Sequence, residues 1–140
     1  MAVAPSAPSR QALDLTFALF PQGRISTVHG YNLGFKGEAK PHSTIGEYEA
    51  RVRQEIGAIV QSALDALPHG GGPLAGPVQM HFEQADPEEV MRNIVAAEDI
   101  DLAVVGTHDR TGVARALVGS VAGRLLETLP CDVLAVKLRD

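Results

Sequence analysis

Two features of the sequence predict an α/β protein with a doubly wound parallel sheet and helices on both faces. Short β-branched or apolar runs alternate with longer amphipathic runs along the chain, and alternation of that kind implies right-handed crossovers between parallel strands. The run "LAVV" (102–105) is continuously apolar, as expected of a strand covered on both sides. With 140 residues, the chain is read as one domain, 1–140, able to bury about two-thirds of its unfolded surface.

The elements follow in order. Ser9 is expected to cap a helix through "RQALDLTFALF", where Leu13, Phe17 and Phe20 recur every three or four residues. "PQG" breaks it, and "RISTVHGY" (24–31) reads as a strand. Residues 32–43 carry Gly, Pro and charge without periodicity and read as a surface loop. The longest helix is predicted over 44–67. Thr44 and Glu47 form a capping box there, and Ile45, Val52, Ile56, Ile59, Val60, Ala63 and Leu67 form one apolar stripe. After the breakers of "PHGGGPLAGP", the stretch "VQMHFEQ" (78–84) alternates Val78, Met80 and Phe82 with polar residues, giving a strand with one drier face. Asp86 as N-cap, Pro87 at the first helical position and Glu89 reaching back start the next helix. A last helix spans Gly112 to Leu129, and "DVLAVKL" (132–138) closes the chain as a strand. Before the first helix only "MAVA" precedes Pro5, so a first strand there is short or truncated.

Composition narrows the function classes. Hydrophobic residues at 45% and charged residues at 21% suit a soluble globule. The net charge of −5 argues against nucleic acid as partner, which needs a basic face. No apolar run approaches the roughly 18 residues of a membrane span, and the N-terminus has no apolar signal region, so neither membrane nor export is expected and the location is read as cytoplasmic. The single cysteine, Cys131, reads as a packed small hydrophobe. The five histidines (29, 42, 69, 81, 108) include no His-x-x-x-His pair, so no metal site is expected. "HGGG" (69–72) lacks the Gly-x-Ser-x-Gly elbow that an oxyanion loop serves. There is no Walker lysine and no Gly-x-Gly-x-x-Gly. Glu88, Glu89, Glu98 and Asp99 read as a solvated helix face. No catalytic residue emerges, and the chain is expected not to be an enzyme.

The stretch "DLAVVGTHDRTGVARALVGSVAG" (101–123) is a strand, a turn and a helix start. Small residues at such a junction let backbone N–H groups approach phosphate oxygens, and the helix N-terminus adds partial positive charge. The same glycines also serve close helix–sheet packing, and Ser120 can bond a backbone carbonyl instead. With its continuation to "LPCDVLAV", the stretch resembles the C-terminal signature of universal stress proteins. That family's nucleotide motif is Gly, two residues, Gly, nine residues, Gly, then Ser or Thr, and it falls here on Gly106, Asp109, Gly119 and Ser120. The resemblance implies an ATP site, with Mg²⁺, formed by Gly106, Thr107, His108, Asp109, Gly112, Gly119, Ser120 and Val121. It also implies a five-stranded sheet of order 3-2-1-4-5, counting the short "MAVA" strand as first, and a homodimer through the last strand, Val133–Lys137.

Two departures mark the site as degenerate. Asp109 stands where the family has glycine; pointing inward, a carboxylate about 4 Å from a phosphate charge costs roughly 4 kcal/mol at an effective dielectric near 20, about a thousandfold in affinity, and facing solvent it costs far less. Ala4 and Pro5 fall where the family carries Asp-Gly beside the adenosine, and Pro5 has no N–H to offer. The function expected is a stress-response binding and regulatory module. The alternatives are a slow ATP-hydrolysing switch and a partner-binding scaffold without nucleotide.

Overall fold

The structure, a computed structural model, describes residues 1–2, 7–31, 45–68, 74–107 and 120–137. In chain order the elements are α1 (Ala7–Leu19), β1 (Ser26–Gly30), α2 (Ile45–Asp65), β2 (Gln79–Glu83), α3 (Pro87–Glu98), β3 (Leu102–Thr107), α4 (Ser120–Thr128) and β4 (Asp132–Lys137). The predicted loop 32–43, Thr44 of the capping box, and residues 112–119 of the last predicted helix lie outside the described residues.

The fold is α/β with parallel strands. β1 pairs with β2, setting Thr27 opposite Met80, and β3 pairs with β4, setting Val105 opposite Ala135. Ala2 stands between the two pairs, with parallel bridges to Val28 on one side and Val105 on the other. Its N–H donates to the Val104 carbonyl at 3.0 Å, and the Val28 N–H donates to the Met1 carbonyl at 2.7 Å. The Met1 amine donates to the Ser26 carbonyl at 2.6 Å.

Side-chain alternation along β3 feeds two separate apolar clusters. Val104 packs with Leu13 and Phe17 of α1 and with Val52, Ile56 and Val60 of α2. Its neighbours Ala103 and Val105 pack with Val90 and Met91 of α3 and Leu125 of α4. Phe17, Leu13, Ile56, Leu125 and Val90 are fully buried, and each such side chain contributes about 1.5–3 kcal/mol. The α2 stripe falls as its spacing requires: Val52, Ile56, Val60 and Ala63 are buried, with Ile59 and Leu67 packed at the margin.

Three expectations change. Ser9 is not an N-cap; α1 begins at Ala7, and Ser9 lies buried inside its first turn. Pro8 permits this earlier start, because a first-turn residue has no intrahelical N–H bond to lose. Met80 does not share the partial burial of Val78 and Phe82 and stays 43% exposed; among the described residues β2 pairs with a strand on one side only. Glu88 and Glu98 are not a freely solvated face but are partly buried and paired. Glu88 pairs with Arg124 at 2.6 Å. Glu98 accepts from Ser26 Oγ at 2.8 Å, and its other oxygen lies 2.9 Å from His81 Nε2, paired but not aligned as a hydrogen bond.

α3 is held at both ends. The Asp86 carboxylate accepts from the Glu88 N–H at 3.0 Å, and Pro87 occupies the first turn. At the other end Asp99 adopts the left-handed conformation (φ 53°) and its N–H returns to the Val95 carbonyl, a helix stop that Asp tolerates better than most residues. Among the described residues no helix is long and apolar enough to cross a membrane.

Candidate functional site

The carboxyl ends of β1 and β3 are each crossed by the start of a helix, and each carries a glycine there for that reason, Gly30 as the last residue of β1 and Gly106 as the last but one of β3. A Cβ on Gly30 would stand 2.6 Å from Pro87 Cα at the start of α3. A Cβ on Gly106 would stand 2.6 Å from the Pro8 carbonyl carbon, in the first turn of α1. Both distances are far inside van der Waals contact, so only glycine lets the helices approach this closely.

The two helix starts differ in charge. α3 carries its own negative groups: the Asp86 cap, then Glu88 and Glu89 in the first turn. α1 has no acidic residue in its first turn. The partial positive charge of a helix N-terminus is therefore neutralised above Gly30, while the first turn above Gly106 supplies no carboxylate to offset it.

Of the predicted nucleotide residues, β3 carries Gly106 and Thr107 to this end of the sheet. Gly106 is taken up by its packing against Pro8. The Thr107 hydroxyl donates to the Val136 carbonyl at a long 3.4 Å. Both residues are thus engaged within the protein. His108, Asp109, Gly112 and Gly119 lie outside the described residues. Ser120 opens α4 with Val121 next, and the orientation of these two side chains is likewise outside the description.

A second group at this end escaped the sequence reading. The His29 ring stacks on Tyr31, with centroids 6.2 Å apart, and Tyr31 meets Tyr48 at 5.7 Å. The Tyr31 hydroxyl donates to Glu49 at 3.0 Å, Arg53 pairs with Glu49 at 2.8 Å, and its guanidinium lies 4.3 Å from the Phe82 ring centre. Arg53 first, and then the Tyr31 hydroxyl, hold the Glu49 carboxyl below its usual pKa. Burial, and then Glu49, push the Tyr31 phenol up. Glu49 and Arg53 are four residues apart on one helix face, and that spacing was the available signal. Their meeting with Tyr31 and Phe82 depends on tertiary packing.

Cys131 is half-buried, and burial pushes its thiol pKa up, away from the reactive thiolate. Among the described residues no group of three His, Cys, Asp or Glu side chains is placed to hold a metal ion.

Comparison with known proteins adds the family. The family described as "Universal stress protein family" matches residues 1–137. The universal stress protein E homolog of Haemophilus influenzae is 26% identical over 137 residues, covering 98% of this chain and 34% of that protein. The chain thus spans about a third of that relative's length. Among solved structures, the universal stress protein UspA from Lactobacillus plantarum superimposes with a TM-score of 0.71 at 13% identity, covering 96% of this chain and 93% of the other. A universal stress protein in complex with cAMP superimposes with a TM-score of 0.64 at 17% identity, covering 98% and 93%. At such identities the structural likeness speaks for the fold. The match across residues 1–137, over parallel strands and crossing helices of that fold, makes this chain a member of the universal stress protein family.

Proposed function

We propose that the protein is a nucleotide-responsive regulatory module of the stress response, with a weakened adenine-nucleotide site at the carboxyl end of β3. The observation that carries this reading is the start of α1. Its first turn is free of carboxylates and sits directly on Gly106, so a partial positive charge lies where the motif loop leaves the strand. An anionic phosphate is the natural complement of such a helix end. The family neighbour crystallised with cAMP supports a nucleotide as the ligand class.

In this reading Ala2 occupies the centre of a doubly wound sheet of order 3-2-1-4-5, counting the Ala2 segment as the first strand. The protein acts in the cytoplasm and dimerises by pairing Val133–Lys137 with the same strand of a second copy. It binds and signals without turning over its ligand, since the sequence names no residue to activate water. ATP with Mg²⁺ would be held by His108, Asp109, Gly112, Gly119, Ser120 and Val121, with the Asp109 carboxylate opposing the phosphates.

Titration calorimetry with ATP and Mg²⁺ tests this on the parent chain and on Asp109→Gly. The expected result is no micromolar binding by the parent and recovery in the variant, consistent with the roughly thousandfold cost of one opposed carboxylate. Silence in both would overturn the nucleotide reading and leave a partner-binding scaffold.

A further inference from the structure

β4 is an outer strand, and among the described residues no strand lies beyond it. Its hydrogen bonds fix which peptide groups look outward. The Asp132 N–H donates to the carbonyl of Asp101, just before β3, at 3.3 Å, and in a parallel strand successive residues alternate between the two sides. Asp132, Leu134 and Val136 therefore bond toward β3, while Val133, Ala135 and Lys137 turn their N–H and C=O groups away from it. The side chains alternate as well. Leu134 and Val136 pack on the face of α1 and α2, and Val133 packs on the face of α3 and α4.

Leucines flank this edge on both faces. Among the described residues the large apolar side chains left exposed are Leu15, Leu19, Phe20, Met80 and Leu126. On α1, Arg10 reaches Ser62 of α2 at 2.6 Å, and α2 lies over β2 through Arg53 and Phe82. Leu15 and Leu19 stand about 140° round the helix from Arg10 and Asp14. They occupy the flank turned from α2 toward β4, which α1 touches. On α4, Arg124 pairs with Glu88 of α3 at 2.6 Å, and α3 packs on β1. Leu126 stands about 160° round from Arg124, again on the flank toward the β4 edge.

We propose that β4 meets β4 of a second copy antiparallel about a twofold axis at Ala135, and that Leu15 and Leu19 close this seam on one face and Leu126 on the other. The inference rests on the reading of the protein as a homodimer through this strand, and adds its register and its lids. Antiparallel bonding sets outward-facing residues opposite one another. An axis at Ala135 puts the two Ala135 residues face to face and Val133 of each copy opposite Lys137 of the other, so all three outward residues bond within the strand. Ala135 is exposed on the α4 face, and its small side chain leaves room there for Leu126 of both copies. Area requires the lids. A six-residue edge is about 20 Å long and about 10 Å thick, on the order of 200 Å², against the roughly 800 Å² per partner of a standard interface. The half-exposed leucines beside the edge supply apolar surface that the strand alone lacks.

Sedimentation velocity over a micromolar concentration series tests the lids on the 1–140 chain, on Leu15→Lys/Leu19→Lys, on Leu126→Lys and on Met80→Lys. The parent is expected to dimerise. Each leucine variant should raise the dimer Kd by about tenfold or more, since every change counts twice across the axis. Met80→Lys, at the other edge of the sheet, should leave it unchanged. Oxidative cross-linking in a Cys131→Ala background tests the register. Ala135→Cys should link to its counterpart about 5.5 Å away between Cα atoms. Val133→Cys should not, because its counterpart is displaced by four residues, about 14 Å along the strand. A monomeric parent would overturn the β4 pairing and the seam together. A dimer whose Kd is unmoved by the leucine variants, or moved equally by Met80→Lys, would overturn the lids and leave the pairing standing. Linkage through Val133→Cys, or none through Ala135→Cys, would overturn the register alone.

Discussion

Gly30 and Gly106 lie at the carboxyl ends of two parallel strands under the same constraint, yet the helices that cross them carry different charge. Above Gly30 the start of α3 is capped by Asp86 and followed by two glutamates. Above Gly106 the start of α1 has no acidic residue. The contact geometry is nearly shared: in each case a Cβ would come within 2.6 Å of a proline backbone atom. Close packing therefore explains both glycines, and it cannot tell a ligand site from a structural joint. Charge can. A helix start that brings its own carboxylates has its anion already, while one without them leaves room for a ligand to supply it.

The largest expected effect comes from putting a methyl group into either junction. Gly106→Ala and Gly30→Ala should each cost about 3 kcal/mol, the upper part of the overpacking range, because the obstructing atoms belong to a helix backbone and not to a flexible side chain. Urea denaturation measures this. Wild-type stability in either variant would break the comparison at its geometric root.

A second test loosens the segment between the junctions and touches neither. With Met1 carrying a free amine, the folded pKa of about 6 lies below the unfolded value of 8.0. Between those values the unfolded chain binds more protons, so stability should rise with pH from about 6 to 8. A shift of about two units corresponds to about 2–3 kcal/mol across that window. Urea midpoints at several pH values check it, with an N-acetylated chain expected to lose the dependence.

Smaller still is Asp86→Ala, which removes the cap of α3 and should cost about 1 kcal/mol. It sharpens the comparison, since the α3 start then comes to resemble the α1 start more closely. Its loss of stability should be partly recovered by sulfate, an anion that replaces the missing carboxylate. The smallest effect has the opposite sign. Gly57 lies inside α2 with nothing within 4 Å of the Cβ position, so Gly57→Ala should stabilise by about 0.5–1 kcal/mol. A loss there would mean that glycine substitutions in this protein report something other than local crowding.

What could be read beforehand divides along physical lines. The α3 start was legible because Asp86, Pro87 and the apolar run are adjacent in sequence and act locally. β3 was legible from its unbroken apolar run, and Ala103, Val104 and Val105 are indeed buried. The α2 stripe followed from helical period alone. The pairing of Glu88 with Arg124 could not be read, because a carboxylate on a polar face looks the same whether it meets water or a guanidinium from a distant helix. Pro8 over Gly106 was hidden for the same reason: the two are far apart in sequence and meet only once α1 lies across β3. Of the candidate site, the strand end and its glycine were legible. The letters alone allow Gly106 either a packing or a phosphate-binding role, and Asp109 lies outside the described residues.

Ala2 joins the two strand pairs through its peptide groups and those of its neighbours. Peptide groups are common to every residue except proline, which lacks the N–H. A joint made this way leaves almost no trace in the letters of a sequence. Ala2→Ser would keep it, Ala2→Pro would sever the bond to Val104, and a comparison of related sequences would register only the second as forbidden. Divergence at this position is therefore a poor guide to how much of the architecture depends on it.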